Sequence, residues 1–557
     1  MVPYVESKPL VHRVARWPVL LVLVVTLWAS TSGLGWRHLW VDEVDTAERA
    51  SAVLAWGYPR VVDRHGVLSL NTGGYELEDG ETHRFSPWGQ FYVTAAGLAV
   101  GRALGWSGDF SARLPAALAH TAAAGGVTWG CLALAGATPA AAAVVGLLTG
   151  LDSVRLTYAR QARHHAMVEA LVVLGLVGLG LLRLGRKAGL GLASAAMALT
   201  AHLHPLSGAV FAVTLLMLLL AMRQAAVLFP AFGASVRDIA FKVLLPGAAS
   251  ALVLLLLARP WRQDPWAFAA GMASHALAHQ PTWWGLAFVT LCVGVAARAR
   301  AWRVAGVLLV LALTPVVLVQ PLALTTVSSY RYFLFLPLVF ALWPVALGPL
   351  VQDHHRRWLW AGVILTLLGP DLHRGLKMGT HAGVALALQD ARQEALGTRQ
   401  PLHQVVDFLR QRARPDEPIL WDMVPQYVNW YLPGQPVALL PDLAARVKST
   451  QDSPWWKAVP RQAVWHVWFP KAGAGTWDCS GHCDVRAVDA NPDQPQTPYT
   501  LESGRLGTRV RMCPVMGVPA SRIANAPFLL LATGALQPAG AADEMLVVSH
   551  ACDAEPP

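Results

Sequence analysis

Trp40-Val41-Asp42-Glu43-Val44-Asp45 is the stretch on which the fold of this chain turns. It follows the apolar run Trp17 to Leu34, so two adjacent carboxylates stand where a membrane helix meets water. Thr46 to Trp56 then carry the spacing of an amphipathic helix lying along that surface. Two roles fit the pair. Asp42 suits a helix N-cap, with carboxylates favoured in the first turn by the helix dipole. Equally, a carboxylate at a membrane-edge cavity can take a proton from an incoming hydroxyl or amine. Asp42 and Glu43 are thus the first candidates for chemistry, and Asp45 is expected to face solvent.

The surrounding composition supports a membrane setting. Over 557 residues, 54% are hydrophobic and only 14% charged, and the mean hydropathy is +0.41, values that point to a polytopic membrane protein. The net charge of +10 comes largely from short basic segments between apolar runs, such as Arg183-Leu184-Gly185-Arg186-Lys187 and His354-His355-Arg356-Arg357. These read as cytoplasmic turns under the positive-inside rule, not as a nucleic-acid surface. Lys8, His12, Arg13 and Arg16 precede the first run, which reads as an uncleaved signal anchor and places Asp42 and Glu43 outside. The first outer loop, 36–87, includes a Gly-, Asp- and Glu-rich stretch from Gly57 to Pro87, longer than a connection requires and expected to fold over the site.

Residues 1–395 read as an all-α polytopic domain of roughly 11–13 transmembrane helices. The early runs are Trp88 to Leu104, Ser111 to Leu134, Pro139 to Gly150, Ala166 to Leu182 and Leu190 to Ala201. Counting forward from a cytoplasmic start and counting backward from the basic turns give opposite sides for the tail. A re-entrant or split segment resolves this, and Pro139 to Gly150 is short enough to be one; an uncounted crossing within 370–384 is the alternative. The tail is placed outside, on a bacterial-type inner membrane.

Residues 396–557 read as a small soluble extracytoplasmic α/β or α+β domain. Val405 to Leu409 has helical spacing, while Pro418 to Trp421 and Val464 to Phe469 read as strands. Cys479, Cys483, Cys513 and Cys552 lie here and allow three disulfide pairings; Cys479-Ser-Gly-His-Cys483 also has a spacing that admits zinc.

Ionisable groups near apolar runs need a reason. Arg160 and Arg163, in Tyr158-Ala159-Arg160-Gln161-Ala162-Arg163, suit bidentate recognition of a lipid phosphate or snorkelling to headgroups. His165 and Glu169 are spaced to share a helix face. His202 and His204 stand at a Pro-broken helix end, as hydrogen-bonding groups or as ligands of a divalent metal. Arg331, flanked by Tyr330 and Tyr332, fits an aromatic belt or a phosphate clamp. A transporter or lipid-binding scaffold would use the same charges for passage rather than reaction, although no inverted repeat is visible.

Taken in order, Trp40-Val41-Asp42-Glu43, Ser86-Pro87-Trp88, Ala112-Arg113-Leu114-Pro115, Tyr158 to Arg163 and Tyr330-Arg331-Tyr332 resemble the membrane glycosyltransferases of the C superfold. Within these, the likeness is to protein O-mannosyltransferases and lipid A aminoarabinose transferases, over roughly residues 10 to 350. The resemblance implies an inverting transfer of a sugar from a polyprenyl-phosphate donor to a lipid, glycan or protein acceptor on the outer face. It implies Asp42, with Glu43 beside it, as base or acceptor-orienting group, and Arg113, Arg160, Arg163 and Arg331 as holders of the donor phosphate. Tyr158, His165, Glu169, His202 and His204 would then line the cavity. No cofactor is required by the resemblance, and a divalent metal is left open.

Overall fold

The computed structural model describes residues 16–60, 82–83, 88–134, 136–183, 186, 188–204, 207–208, 211–212, 245, 249, 382–421, 426–435, 465–468, 485–489, 494–503, 508–520 and 544–552. Its helices are α1 (Trp17–Thr31), α2 (Val41–Trp56), α3 (Gly89–Leu104), α4 (Gly108–Ala133), α5 (Pro139–Leu151), α6 (Ser153–Ala159), α7 (His165–Arg183) and α8 (Ala188–Leu203), followed by α9 (Ala382–Ala395), α10 (Pro401–Arg412) and α11 (Gln426–Tyr431). The strands are β1 (Ile419–Trp421), β2 (Trp465–Trp468), β3 (Val485–Val488), β4 (Tyr499–Ser503), β5 (Thr508–Ala520) and β6 (Glu544–Ala551).

Two compact units interleave along the chain. The first takes α1, α4 from Ala116 onward, α5, α6, and the chain from His164 to Ala385; the second takes 32–115, the turn 161–163, and everything from Leu386.

In the first unit, the apolar runs become helices close to their expected limits. Among the described residues no single helix is long and apolar enough to cross a membrane, but α5 and α6 pass that test together, bent by 58°. The suspected segment thus belongs to a bent pair, a broken span or a re-entrant loop, the two alternatives read from the sequence. The break falls at Asp152, whose side chain accepts from the Arg155 backbone N–H at 2.8 Å and so starts a new helix where the old one stops.

In the second unit, α2 starts earlier than its amphipathic spacing suggested. Trp40, extended at φ −86° and ψ 172°, is the N-cap, and Asp42 lies in the first turn. The expectation of Asp42 as N-cap is corrected accordingly. Nor does α2 lie along a solvated surface: Asp45, Glu48 and Arg49 are all buried. Asp45, expected in solvent, instead pairs with Arg49 at 3.2 Å one turn on, because α2 is enclosed and a buried charge needs a partner. Helix α3 meets the first turns of α4 through Gly97 and Gly101, where an added Cβ would collide with Pro115 and Ser111.

The tail forms a six-stranded sheet in the order β1-β2-β6-β5-β4-β3, with β1 parallel to β2 and every other pair antiparallel. Leu402, Val405, Val406 and Leu409 of α10 form one buried stripe, which joins Trp465, Val467 and Val548 of the sheet in a core shared with Leu39, Val44 and Phe91. Helix α10, β1 and β2 match the segments read from sequence. Cys513 and Cys552 are joined as a disulfide between β5 and the end of β6; Cys479 and Cys483 lie outside the described residues.

On β2, the buried His466 bonds to the Tyr499 hydroxyl through Nδ1 at 2.6 Å and stacks on Trp468. Burial pushes its pKa down from 6.5 to about 3. The unfolded chain takes up that proton below pH 6.5 while the folded chain refuses it until about 3, so stability is complete above that window and falls through it. Acid titration of the folded chain should therefore show a loss of up to ~1.4 kcal/mol per pH unit from this group. Thermal melts of His466→Asn should show a shallower acid limb than wild type.

Candidate functional site

The second unit builds its polar centre on Glu43. At the third helical position of α2, its Oε2 reaches back to accept from the Trp40 backbone N–H at 3.1 Å. From α4, Arg113 meets it in a fork, Nε to Oε1 and Nη2 to Oε2, each at 2.7 Å. Oε1 also accepts from the Ala162 N–H at 2.6 Å. The other Arg113 donors go to carbonyl oxygens of the loop before α2: Nη1 to Leu34 at 3.0 Å and Arg37 at 2.6 Å, Nη2 to His38 at 2.8 Å. Every guanidinium N–H thus has an acceptor, and both oxygens of Glu43 accept twice. The two side chains are 6% and 1% exposed. This geometry gives them a holding function, binding the 34–38 loop, α2, α4 and the 161–163 turn together.

Asp42 is placed differently. Its side chain is 27% exposed, and its Oδ2 stands 3.6 Å from Nη2 of Arg163. Arg163 Nη1 also lies 3.3 Å from the Asp42 carbonyl oxygen and from Thr46 Oγ1. Its Nε is buried and has no hydrogen-bond acceptor among the described residues. The result is a partly open carboxylate beside a guanidinium with donor capacity left over.

The first unit gathers a separate group. Glu169 on α7 forms an ion pair with Arg155, Oε1 to Nε at 2.9 Å, and lies 3.3 Å from His120 Nδ1, while His120 Nε2 donates to the Gly150 carbonyl at 3.0 Å. His164 stacks on His204 with centroids 4.7 Å apart and planes within 6°. His165 lies 4.3 Å from His164 and 5.1 Å from the Tyr158 ring. Arg160 donates to the carbonyls of Ala29 at 3.1 Å and Ser30 at 3.4 Å. His202 is half-buried in the last turn of α8. Among the described residues, no three His, Cys, Asp or Glu side chains converge so as to hold a metal ion.

Of the residues expected from sequence, the structure brings Asp42, Glu43, Arg113 and Arg163 together in one unit. Tyr158, His165, Glu169 and His204 are brought near Arg155, His120 and His164 in the other. Arg331 lies outside the described residues. Sequence reasoning missed His120 and Asp109. The first carried a usable signal, being an ionisable residue inside the apolar run Ser111 to Leu134.

No family model and no curated protein matches the chain. A solved structure does: ArnT from Cupriavidus metallidurans bound to undecaprenyl phosphate, at 17% identity and a TM-score of 0.50, covering 85% of this chain and 96% of that one. The chain has an ArnT-like fold. Apo ArnT from the same organism matches at 16% identity with a TM-score of 0.43, over 83% and 94% of the two chains. The ArnT likeness shows the architecture alone, a helical body with a small sheet.

Removing one member of a buried ion pair strands the other charge, at a cost of about 3–5 kcal/mol. Glu43→Gln and Arg113→Met should each lower the melting temperature of the purified protein sharply. In a double-mutant cycle the paired change should cost much less than the sum of the two single losses. Additive losses would show that the two side chains act independently.

Proposed function

We propose that the protein transfers a sugar, with inversion, from a polyprenyl-phosphate-linked donor to a hydroxyl or amine acceptor on the outer face of a bacterial-type plasma membrane. Residues 1–395 form the membrane glycosyltransferase domain in this reading, and 396–557 the extracytoplasmic one. The observation that carries the proposal is the contrast between two neighbours on α2: Glu43 saturated and enclosed, Asp42 partly open and facing Arg163. The fold likeness adds support, since the ArnT structure holds undecaprenyl phosphate, a carrier of the class proposed here.

The chemistry asks for two things at once. The acceptor must lose a proton as it attacks the anomeric carbon, and the bond from that carbon to the phosphate oxygen must break with its electron pair. Asp42 takes the proton on its carboxylate. Arg163 meets the charge gathering on the departing polyprenyl phosphate, for which a guanidinium supplies paired donors. Glu43 and Arg113 act as positioning residues: Glu43 accepts from the Trp40 and Ala162 N–H groups while Arg113 holds Glu43 and the carbonyls of the 34–38 loop, keeping the chain around Asp42 and Arg163 in register.

General-base removal lowers rates by roughly 10²–10⁴. Asp42→Asn should therefore reduce consumption of a polyprenyl-phosphate sugar by that order in detergent-solubilised protein, with an unchanged melting temperature. Wild-type turnover in Asp42→Asn would remove Asp42 from the mechanism. Failure of wild type to consume any polyprenyl-phosphate sugar would remove the transferase reading itself.

A further inference from the structure

The second unit also holds an open cleft of about 530 Å³, lined by residues that play no part in the transfer step proposed above. Its floor is the first turn of α4. There Asp109 accepts from Trp430 Nε1 at 3.1 Å and from the Tyr431 hydroxyl at 3.2 Å, and faces His403 Nε2 at 3.1 Å. A second indole, Trp36, lies on the lining and donates its Nε1–H to the Thr398 carbonyl at 2.9 Å. Both indoles are half-buried, with their only polar atoms engaged, so each ring is held in one orientation. At Gly108 an added Cβ would come within 3.0 Å of the Trp430 ring; a glycine here lets the indole lie close against the start of α4.

The lining sets Arg102, Arg399 and Arg410 against Glu48, Asp109, Glu394 and Asp407, so its charges nearly cancel. Asp407 pairs with Arg410 at 3.1 Å and with Arg399 at 3.8 Å, and all three side chains remain partly solvent-exposed. A strongly charged ligand would have to break those pairs. A neutral, many-hydroxyl ligand would instead add hydrogen bonds to them, since carboxylate and guanidinium edges accept from and donate to hydroxyls without loss of their mutual contact. Fixed aromatic rings supply the other half of such a site, a flat apolar surface for the C–H face of a sugar ring. The volume lies within the ~300–1,000 Å³ usual for small-molecule sites.

We propose that this cleft binds a neutral saccharide of disaccharide size, with a sugar ring on Trp36 or Trp430 and its hydroxyls on Asp407 and Arg410. The proposal goes beyond the transfer reaction, because it assigns binding and no catalytic step. Its position nonetheless matters for that reaction: Asp109 and Arg113 are four residues apart on α4, so the floor of the cleft and the Glu43 grip share one helix face, about 5–6 Å apart at their Cβ atoms.

The test is saturation-transfer NMR on the full chain, in a detergent without a sugar headgroup. Mannobiose, maltose and N,N′-diacetylchitobiose serve as probes, and glucose 6-phosphate as the charged comparison. At least one neutral disaccharide should receive saturation. Thr398→Trp, which fills the cleft from an exposed rim position, and Trp430→Ala should each weaken that binding at least tenfold. Thr398→Trp should melt with wild type, which keeps the test sound where Trp430→Ala unfolds. Asp42→Asn should bind as wild type does, separating this site from the transfer step. The proposal fails if none of the three disaccharides binds, if Thr398→Trp binds them unchanged, or if only the phosphorylated sugar binds.

Discussion

One buried ion pair, Glu43 with Arg113, sets what the second unit can be. Its hydrogen bonds draw on a loop, two helices and a turn that are far apart in the chain. Two charges withdrawn from water are tolerable only when the partner geometry is good and the remaining donors and acceptors are met. Here they are met in full, so each of the four segments is held at one register against the others. Asp42 owes its surroundings to this arrangement. It occupies the next position along α2, and the 161–163 turn that carries Arg163 is tethered through the Ala162 N–H.

A second polar network extends the same logic toward the tail. Tyr431 donates to Asp109 and accepts from the Leu39 N–H at 2.7 Å, so α11 is bonded both to the start of α4 and to the residue just before Trp40. Burial alone would raise the Asp109 pKa; the hydrogen bond and charge of His403, aided by Arg113, more than offset it and hold the carboxyl below its usual range. Arg37 adds an ion pair to Asp390 of α9 at 2.8 Å. The segment 34–40, which an apolar-run reading treats as a mere exit from the first helix, is where these networks converge.

Periodicity made much of the architecture legible. The helical runs, the α10 stripe and strands β1 and β2 follow from spacing that each segment carries by itself. The break between α5 and α6 was visible as a run too short to span. What spacing could not disclose was pairing across the chain. Asp45, Glu48 and Arg49 are buried by segments that the spacing of α2 does not reveal: Arg49 donates to the Arg60 carbonyl at 3.0 Å, and Glu48 lines a cleft with residues of the tail. Glu43 and Asp42 are indistinguishable in sequence; only the arrival of Arg113 and the Ala162 N–H at one of them separates their roles. Strand β5 was hidden for a local reason: Pro514 and Pro519 argue against a strand, yet both lie past the stretch that pairs with β4, where β5 pairs with β6 alone and accommodates an irregularity between Pro514 and Met516.

The strand order of the tail has a consequence for how its sheet closes. Strand β6 comes after the other five in the chain but lies in the interior of the sheet, between β2 and β5. Until it docks, β2 and β5 each present an unpaired edge, the feature most prone to wrong pairing. The Cys513–Cys552 bond fastens β6 to β5. A chain in which β6 fails to dock is left open through the middle of its sheet, between β2 and β5.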